Sequence, residues 1–64
     1  GKLNEAIISL EKAIELDPHY GDAWLSLGDA YCRQGQHQKA VDAYQRCIRF
    51  IPGSVEAHYN LSLA

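Results

Sequence analysis

Displaced by 34 positions, the 64-residue chain falls back on itself: Gly1 on Gly35, Ala6 on Ala40, Ile14 on Ile48, Pro18 on Pro52, Ala23 on Ala57, Leu27 on Leu61 and Ala30 on Ala64. The coincidences are small residues, turn residues and core residues, the positions that a repeated packing unit needs. Such a period describes a stack of like units, each with too little apolar surface to stand alone and therefore dependent on its neighbour. That dependence weighs heavily at this length. A chain this short buries only about 60% of the surface its unfolded form exposes, and its core supplies roughly 3–5 kcal/mol at most.

Within the period the hydrophobic spacing is helical. Residues 1 to 17 carry Ala6, Ile7, Leu10, Ala13 and Ile14 on one helical face, with Leu16 at its flank and Glu5, Glu11, Lys12 and Glu15 opposite. Asp17-Pro18 ends this element, because proline disfavours helical geometry in the residue before it. A second helix presents Ala23, Trp24, Leu27, Ala30 and Tyr31 and stops at Gly35, where a left-handed residue carries no Cβ penalty. Gly28 lies inside that helix, where glycine costs about 1 kcal/mol relative to alanine. Close approach of a neighbouring helix is the packing reason for it.

The third helix, about Gln38 to Phe50, repeats the first with Ala40, Val41, Tyr44, Cys47 and Ile48, and Pro52 closes it. Ser54 offers an N-cap oxygen to a fourth helix, Glu56 sits in its first turn, and Ala57, Leu61 and Ala64 form its apolar face. The expected fold is all-α, with helices at about 3-16, 21-34, 37-50 and 54-64.

Trp24, Leu27, Gly28 and Tyr31, followed by Ala40, Tyr44 and Pro52, spell Trp-x2-Leu-Gly-x2-Tyr, Ala-x3-aromatic and Pro. This pattern, at this period, resembles the tetratricopeptide repeat. The resemblance covers the whole chain: 1-18 as the second helix of one repeat, 21-54 as a complete repeat, and 55-64 as the first helix of the next. With no methionine, a start at Gly1 and an end inside an apolar pattern, the sequence reads as a fragment of a longer array. The resemblance implies antiparallel helix pairs in a right-handed superhelical solenoid, with Gly28 and Cys47 facing each other at the close crossing. Cys47 stands where the family usually has Ala, Ser62 where it prefers Gly, and His58 where Trp24 sits in the complete repeat. Cysteine serves as a small hydrophobe, so that substitution is tolerated. His58 is expected to pack partly buried.

Composition excludes several functions. Six Lys plus Arg against eight Asp plus Glu give a net charge of −2, mixed along every segment. Nucleic-acid binding, which needs a concentrated cationic face, is disfavoured. No apolar run approaches the ~18 residues of a membrane span. Cys32 and Cys47, on opposite arms of a hairpin turning near Gly35, are offset by roughly 12 Å, beyond the ~7 Å between Cα atoms that a disulfide spans. Two free thiols are expected; they are compatible with a cytoplasmic location, slightly favoured with no targeting signal within the segment, but they do not assign the compartment. His19, His37, His58, Cys32 and Cys47 lack the C-x2-C or H-x3-H spacing of a structural zinc site, so no metal or cofactor is expected. His19 and His37 read as solvated loop or helix-start residues. Cys32, His37 and Asp29 supply the residue types of a catalytic set, but Cys32 and His37 lie on different helices of an open scaffold, and no enzyme is expected.

The resemblance points to binding. In the family, residues left exposed on the first helix of each pair line the concave face of the superhelix and contact extended peptides. By repeat position these are Asp22, Leu25, Ser26, Asp29, Cys32 and Arg33 in the complete repeat, then Glu56, Tyr59, Asn60 and Leu63 in the truncated one. Positions 22, 25, 26, 29, 32 and 33 also form one continuous helical stripe beside the buried one. Asp29 and Arg33 can pair at i, i+4 without any ligand, whereas Tyr59, Leu25 and Leu63 make a better contact surface than a solubility surface.

One sub-class of the family clamps C-terminal carboxylates with Lys, Asn and Arg. Only Asn60 matches it here, and Asp22, Asp29 and Glu56 would repel an acidic tail. The expected function is therefore a non-catalytic scaffold that binds an extended peptide or a partner protein on the concave face. Two alternatives stand beside it. One is self-assembly through uncapped repeat ends, Ile7, Leu10 and Ile14 at one end and Leu61 and Ala64 at the other. The other is a substrate-selecting repeat arm of a larger enzyme, such as a glycosyltransferase, with Asn60 fitting an asparagine ladder that Ser26 breaks.

Overall fold

The computed structural model describes residues 1–63 as four helices: α1 (Lys2–Leu16), α2 (Gly21–Arg33), α3 (His37–Phe50) and α4 (Val55–Leu63). No strand occurs among the described residues. Ala64, expected on the apolar face of α4, lies outside them. The most extensive contact is between α2 and α3; α1 packs on α2, and α4 packs on α3 with a smaller contact to α2.

The core is built from small side chains. Ala23, Ala30, Ala40, Ala43 and Ala57 are buried together with Ile7, Leu27, Tyr44 and Cys47. Alanine lets helix backbones approach, and the few larger residues fill what remains. Ala43 belongs to this core although the sequence pattern did not single it out. Ala6, expected on the buried face of α1, is instead exposed, and Leu10, Ala13 and Ile14 are only half-buried. Their outward side has no helix against it among the described residues.

Two glycines carry close contacts. A Cβ added to Gly28 would lie 2.5 Å from Tyr44 Cε1 and 2.7 Å from Cδ1. The resemblance implied Cys47 at this crossing. Tyr44 takes it, because the aromatic ring reaches across the α2 backbone, while Cys47 lies nearly a turn further along α3 and is itself fully buried. A Cβ on Gly21 would overlap the side chain of Ile51, so the start of α2 is seated against the end of α3 in the same manner.

The helix ends follow from local chemistry. Gly35, at φ +78, closes α2. Its N–H donates to Cys32 O at 3.0 Å and the Gln36 N–H donates to Tyr31 O at 2.9 Å, the paired bonds of a left-handed glycine cap. Ser54 caps α4 by accepting the Ala57 N–H on Oγ at 3.2 Å. Between α1 and α2, the Trp24 indole N–H donates to Pro18 O at 3.0 Å. His58, 34 residues on, repeats this link, with Nε2 3.1 Å from Pro52 O. His58 is nevertheless exposed rather than partly buried. Trp24 is flanked by α3, with the Arg46 guanidinium 5.5 Å from its ring, and His58 has no such second helix beside it among the described residues.

Candidate concave binding face

The predicted face divides into a wired centre and an open periphery. At the centre, α2, α3 and α4 meet around the Tyr44 hydroxyl. It donates to Asp29 Oδ1 at 2.6 Å and lies 3.6 Å from Cys32 Sγ. Asn60 Nδ2 donates to the same Asp29 oxygen at 3.1 Å, joining α4 to α2. One carboxylate oxygen thus receives donors from two other helices, and no buried side-chain polar atom lacks a partner among the described residues. Burial, followed by the hydrogen bonds to Asp29 and Cys32, pushes the Tyr44 phenol far above the ordinary tyrosine range.

Asp29 therefore does not spend its bonded oxygen on Arg33, the pairing that helical spacing alone allows. The oxygen works inside the protein and fixes the register of one first helix against the next. Asp29, Cys32 and Asn60 are half-buried as a result.

Beside this centre an open groove of about 250 Å³ is lined by Cys32, His37, Tyr44, Asn60 and Leu63. Three of these belong to the predicted face. Tyr44 and His37 are additions: Tyr44 reads in sequence as core, and its hydroxyl reaches Asp29 and Cys32 beside the groove because the ring crosses α2 at Gly28. Cys32 and His37, although on different helices, come to the same groove. The thiol faces the Tyr44 hydroxyl, and no hydrogen bond joins it to His37 among the described residues. Both cysteines are free thiols. No group of three His, Cys, Asp or Glu side chains suited to a metal occurs among the described residues, and no helix there is long and apolar enough to cross a membrane.

Ser26, Asp29 and Arg33 line a second groove, shared with Leu3, Ala6, Leu10 and Ala30, where α1 meets α2. The remaining predicted residues line neither groove. Asp22 and Glu56 are exposed at the first turns of α2 and α4, and Leu25 is half-buried. Tyr59 projects from α4 at 63% exposure, close to the 69% of Leu63. Below the first turns lies Cys47, whose thiol is pushed up by burial, partly offset by the Ser54 hydroxyl and reinforced by the charges of Asp22 and Glu56.

On the opposite side, Tyr31 donates its hydroxyl to Glu11 Oε2 at 3.0 Å, bridging α2 to α1. Burial and this contact raise its pKa. Lys39 and Arg46 lie over the rings of Tyr31 and Trp24, each 5.5 Å from the centroid. These aromatic signature residues are engaged in holding helices together.

Models of known families match along the chain, one described as TPR repeat over residues 1–35 and one described as tetratricopeptide repeat over residues 21–54. The chain belongs to the tetratricopeptide repeat family. Among curated relatives it is 33% identical over 64 residues to the peroxisomal targeting signal receptor of Yarrowia lipolytica, covering all of this chain and 11% of that protein. It is 33% identical over 63 residues to the receptor of the same name from Candida albicans, covering 98% and 11%. A tetratricopeptide repeat and J domain-containing co-chaperone of Cryptococcus neoformans is 36% identical over 59 residues, covering 92% and 11%. The chain thus spans about a tenth of the length of the relatives it matches. Tetratricopeptide repeats are protein-interaction modules, and these relatives are a receptor and a co-chaperone by name.

Proposed function

We propose that this chain is a non-catalytic scaffold whose concave face receives an extended segment of a partner protein. The observation that carries the reading is the groove between α2 and α4, with Tyr44 and Leu63 as apolar wall and Asn60 at its side. Leu63 in that wall and Tyr59 one turn before it are exposed, whereas the aromatic signature residues Trp24, Tyr31 and Tyr44 are engaged between helices. A rigid tyrosine and a leucine beside a polar network form a contact surface of the kind that anchors a peptide. Relatives named as targeting-signal receptors support a peptide as the partner class. The small shared fraction of their length gives no ground for transferring the signal itself.

The polarity of the face narrows the partner. The Tyr44 hydroxyl and one Asn60 N–H are donated inward to Asp29 and so are not offered to a ligand in the groove. Together with Asp22 and Glu56, this disfavours a clamp for an acidic C-terminus. To test the reading, peptides selected on the chain from a random extended-peptide display library are titrated against the double variant Tyr59→Ala, Leu63→Ala. Affinity is expected to fall about tenfold or more with helicity unchanged. Unaltered affinity refutes the assignment of this face.

A further inference from the structure

We propose that the side of the molecule away from the concave face carries a second docking surface, a groove over α2 that receives a helix of a partner protein with acidic residues seven positions apart. α1 and α3 both pack on α2, and their backbones make no close approach to each other. The flank of α2 between them lies open as a groove of about 270 Å³, with Trp24, Leu27 and Tyr31 as its floor and Lys39, Asp42 and Arg46 along the α3 rim. α1 bounds it on the other side, joined to α2 by the hydrogen bonds of Glu11 with Tyr31 and of Asn4 with Gln34. None of these residues belongs to the concave face, so the inference is independent of what that face binds.

The rim selects the partner. Lys39, Asp42 and Arg46 are exposed and follow one another at about a turn each, a row of positive, negative and positive charge roughly 10 Å long. The outer two are held in place, Lys39 over the Tyr31 ring and Arg46 over the Trp24 ring, which lowers the cost of ordering them on a ligand. A complementary ligand presents negative, positive and negative charge at the same spacing. A helix does so with acidic residues at i and i+7, about 10.5 Å apart, and a basic residue at i+3 or i+4. An extended strand returns side chains to one face at about 6.8 and 13.6 Å, and a polyproline helix does so at about 9.3 Å with nothing between. The other middle position of the partner helix points to the floor, where an apolar side chain meets Trp24, Leu27 and Tyr31. At about 270 Å³ the groove falls below the roughly 300–1,000 Å³ of a small-molecule site and suits one such side chain.

The test uses Trp24, the one tryptophan of the chain, as reporter. Two alanine-rich helical peptides of roughly 18 residues, free of tryptophan, carry glutamates seven apart with lysine and leucine between them in either order, since the direction of docking decides which of the two faces Asp42. One of them is expected to change Trp24 fluorescence saturably below about 1 mM, with an affinity that falls as salt is added. Lys39→Glu with Arg46→Glu lowers that affinity about tenfold or more and creates affinity for the charge-inverted peptide. Circular dichroism checks the helicity of the variant. Asp42→Lys, which leaves both ring contacts in place, gives a second reading: it weakens binding of the original peptide and strengthens binding of one whose lysine is replaced by glutamate. The concave-face variant Tyr59→Ala, Leu63→Ala binds as the unmodified chain does. No saturable change with either peptide, affinity indifferent to the charge reversals, equal affinity for a scrambled peptide of the same composition, or loss of binding in the concave-face variant overturns the proposal.

Discussion

Replacing Gly28 by alanine sets two effects of opposite sign against each other, and the structure decides the winner. Within a helix the change gains about 1 kcal/mol of propensity. At this position the new methyl would lie 2.5 Å from Tyr44 Cε1, 2.7 Å from Cδ1 and 3.0 Å from Cζ. Ordinary carbon contacts fall at about 3.5–4.0 Å, so the overlap is roughly 1 Å against the body of a ring. The ring cannot swing aside, since Tyr44 is 2% exposed and its hydroxyl is held by Asp29 at 2.6 Å. Relief requires α2 and α3 to separate, which loosens the most extensive contact in the fold. Overpacking of this kind costs about 1–3 kcal/mol, and weakening the Tyr44 bond adds about 0.5–1.5 kcal/mol.

The net effect is a loss of about 1–3 kcal/mol once propensity is subtracted. At about 4–8 °C per kcal/mol for a domain of this size, Tm falls by roughly 10 °C in a thermal melt followed by circular dichroism. The paired experiment places the same change in a Tyr44→Leu background. There the crowding is gone and Gly28→Ala should raise Tm by a few degrees. If Gly28→Ala stabilises the unmodified chain, or if the two backgrounds respond alike, the close crossing is not the reason for this glycine.

Two further predictions concern titratable groups. Because the Tyr44 pKa is raised in the folded state, the phenol contributes stability in full below the unfolded value of about 10, and that stability is lost as pH rises beyond it. Urea unfolding between pH 9 and 11.5, a window set around that value, should show a fall in stability that Tyr44→Phe flattens; an unchanged slope in the variant refutes the linkage. The thiols should also differ in reactivity. Cys47 is fully buried with a raised pKa, and Cys32 is half-buried at the groove, so Ellman's reagent should modify Cys32 first in the native protein and both in urea. Equal native rates would contradict the packing.

Helix number and limits were legible because they depend on local signals: Pro18, Pro52, Gly35 and Ser54 act within a turn of where they stand. What sequence could not supply was the rotation of α3 about its axis. That rotation decides whether Tyr44 or Cys47 meets Gly28, and whether the Tyr44 hydroxyl emerges near Asp29. The network that joins Asp29, Asn60 and Cys32 through the Tyr44 hydroxyl follows from this one choice, so three residues that the repeat position placed on the partner-binding face also make contacts inside the protein. Tyr59 and Leu63 are exposed, whereas Leu25, placed on the same face by its repeat position, is half-buried.

The short link from Trp24 to Pro18, and from His58 to Pro52, spans six residues in each case. Each first helix is therefore tied to the turn before it by a contact confined to that turn and the first turn of the new helix. The link involves no residue of the second helix of that pair. A chain wired in this way can be lengthened unit by unit, as a spiral stair is extended by its own tread angle, without renegotiating anything already built.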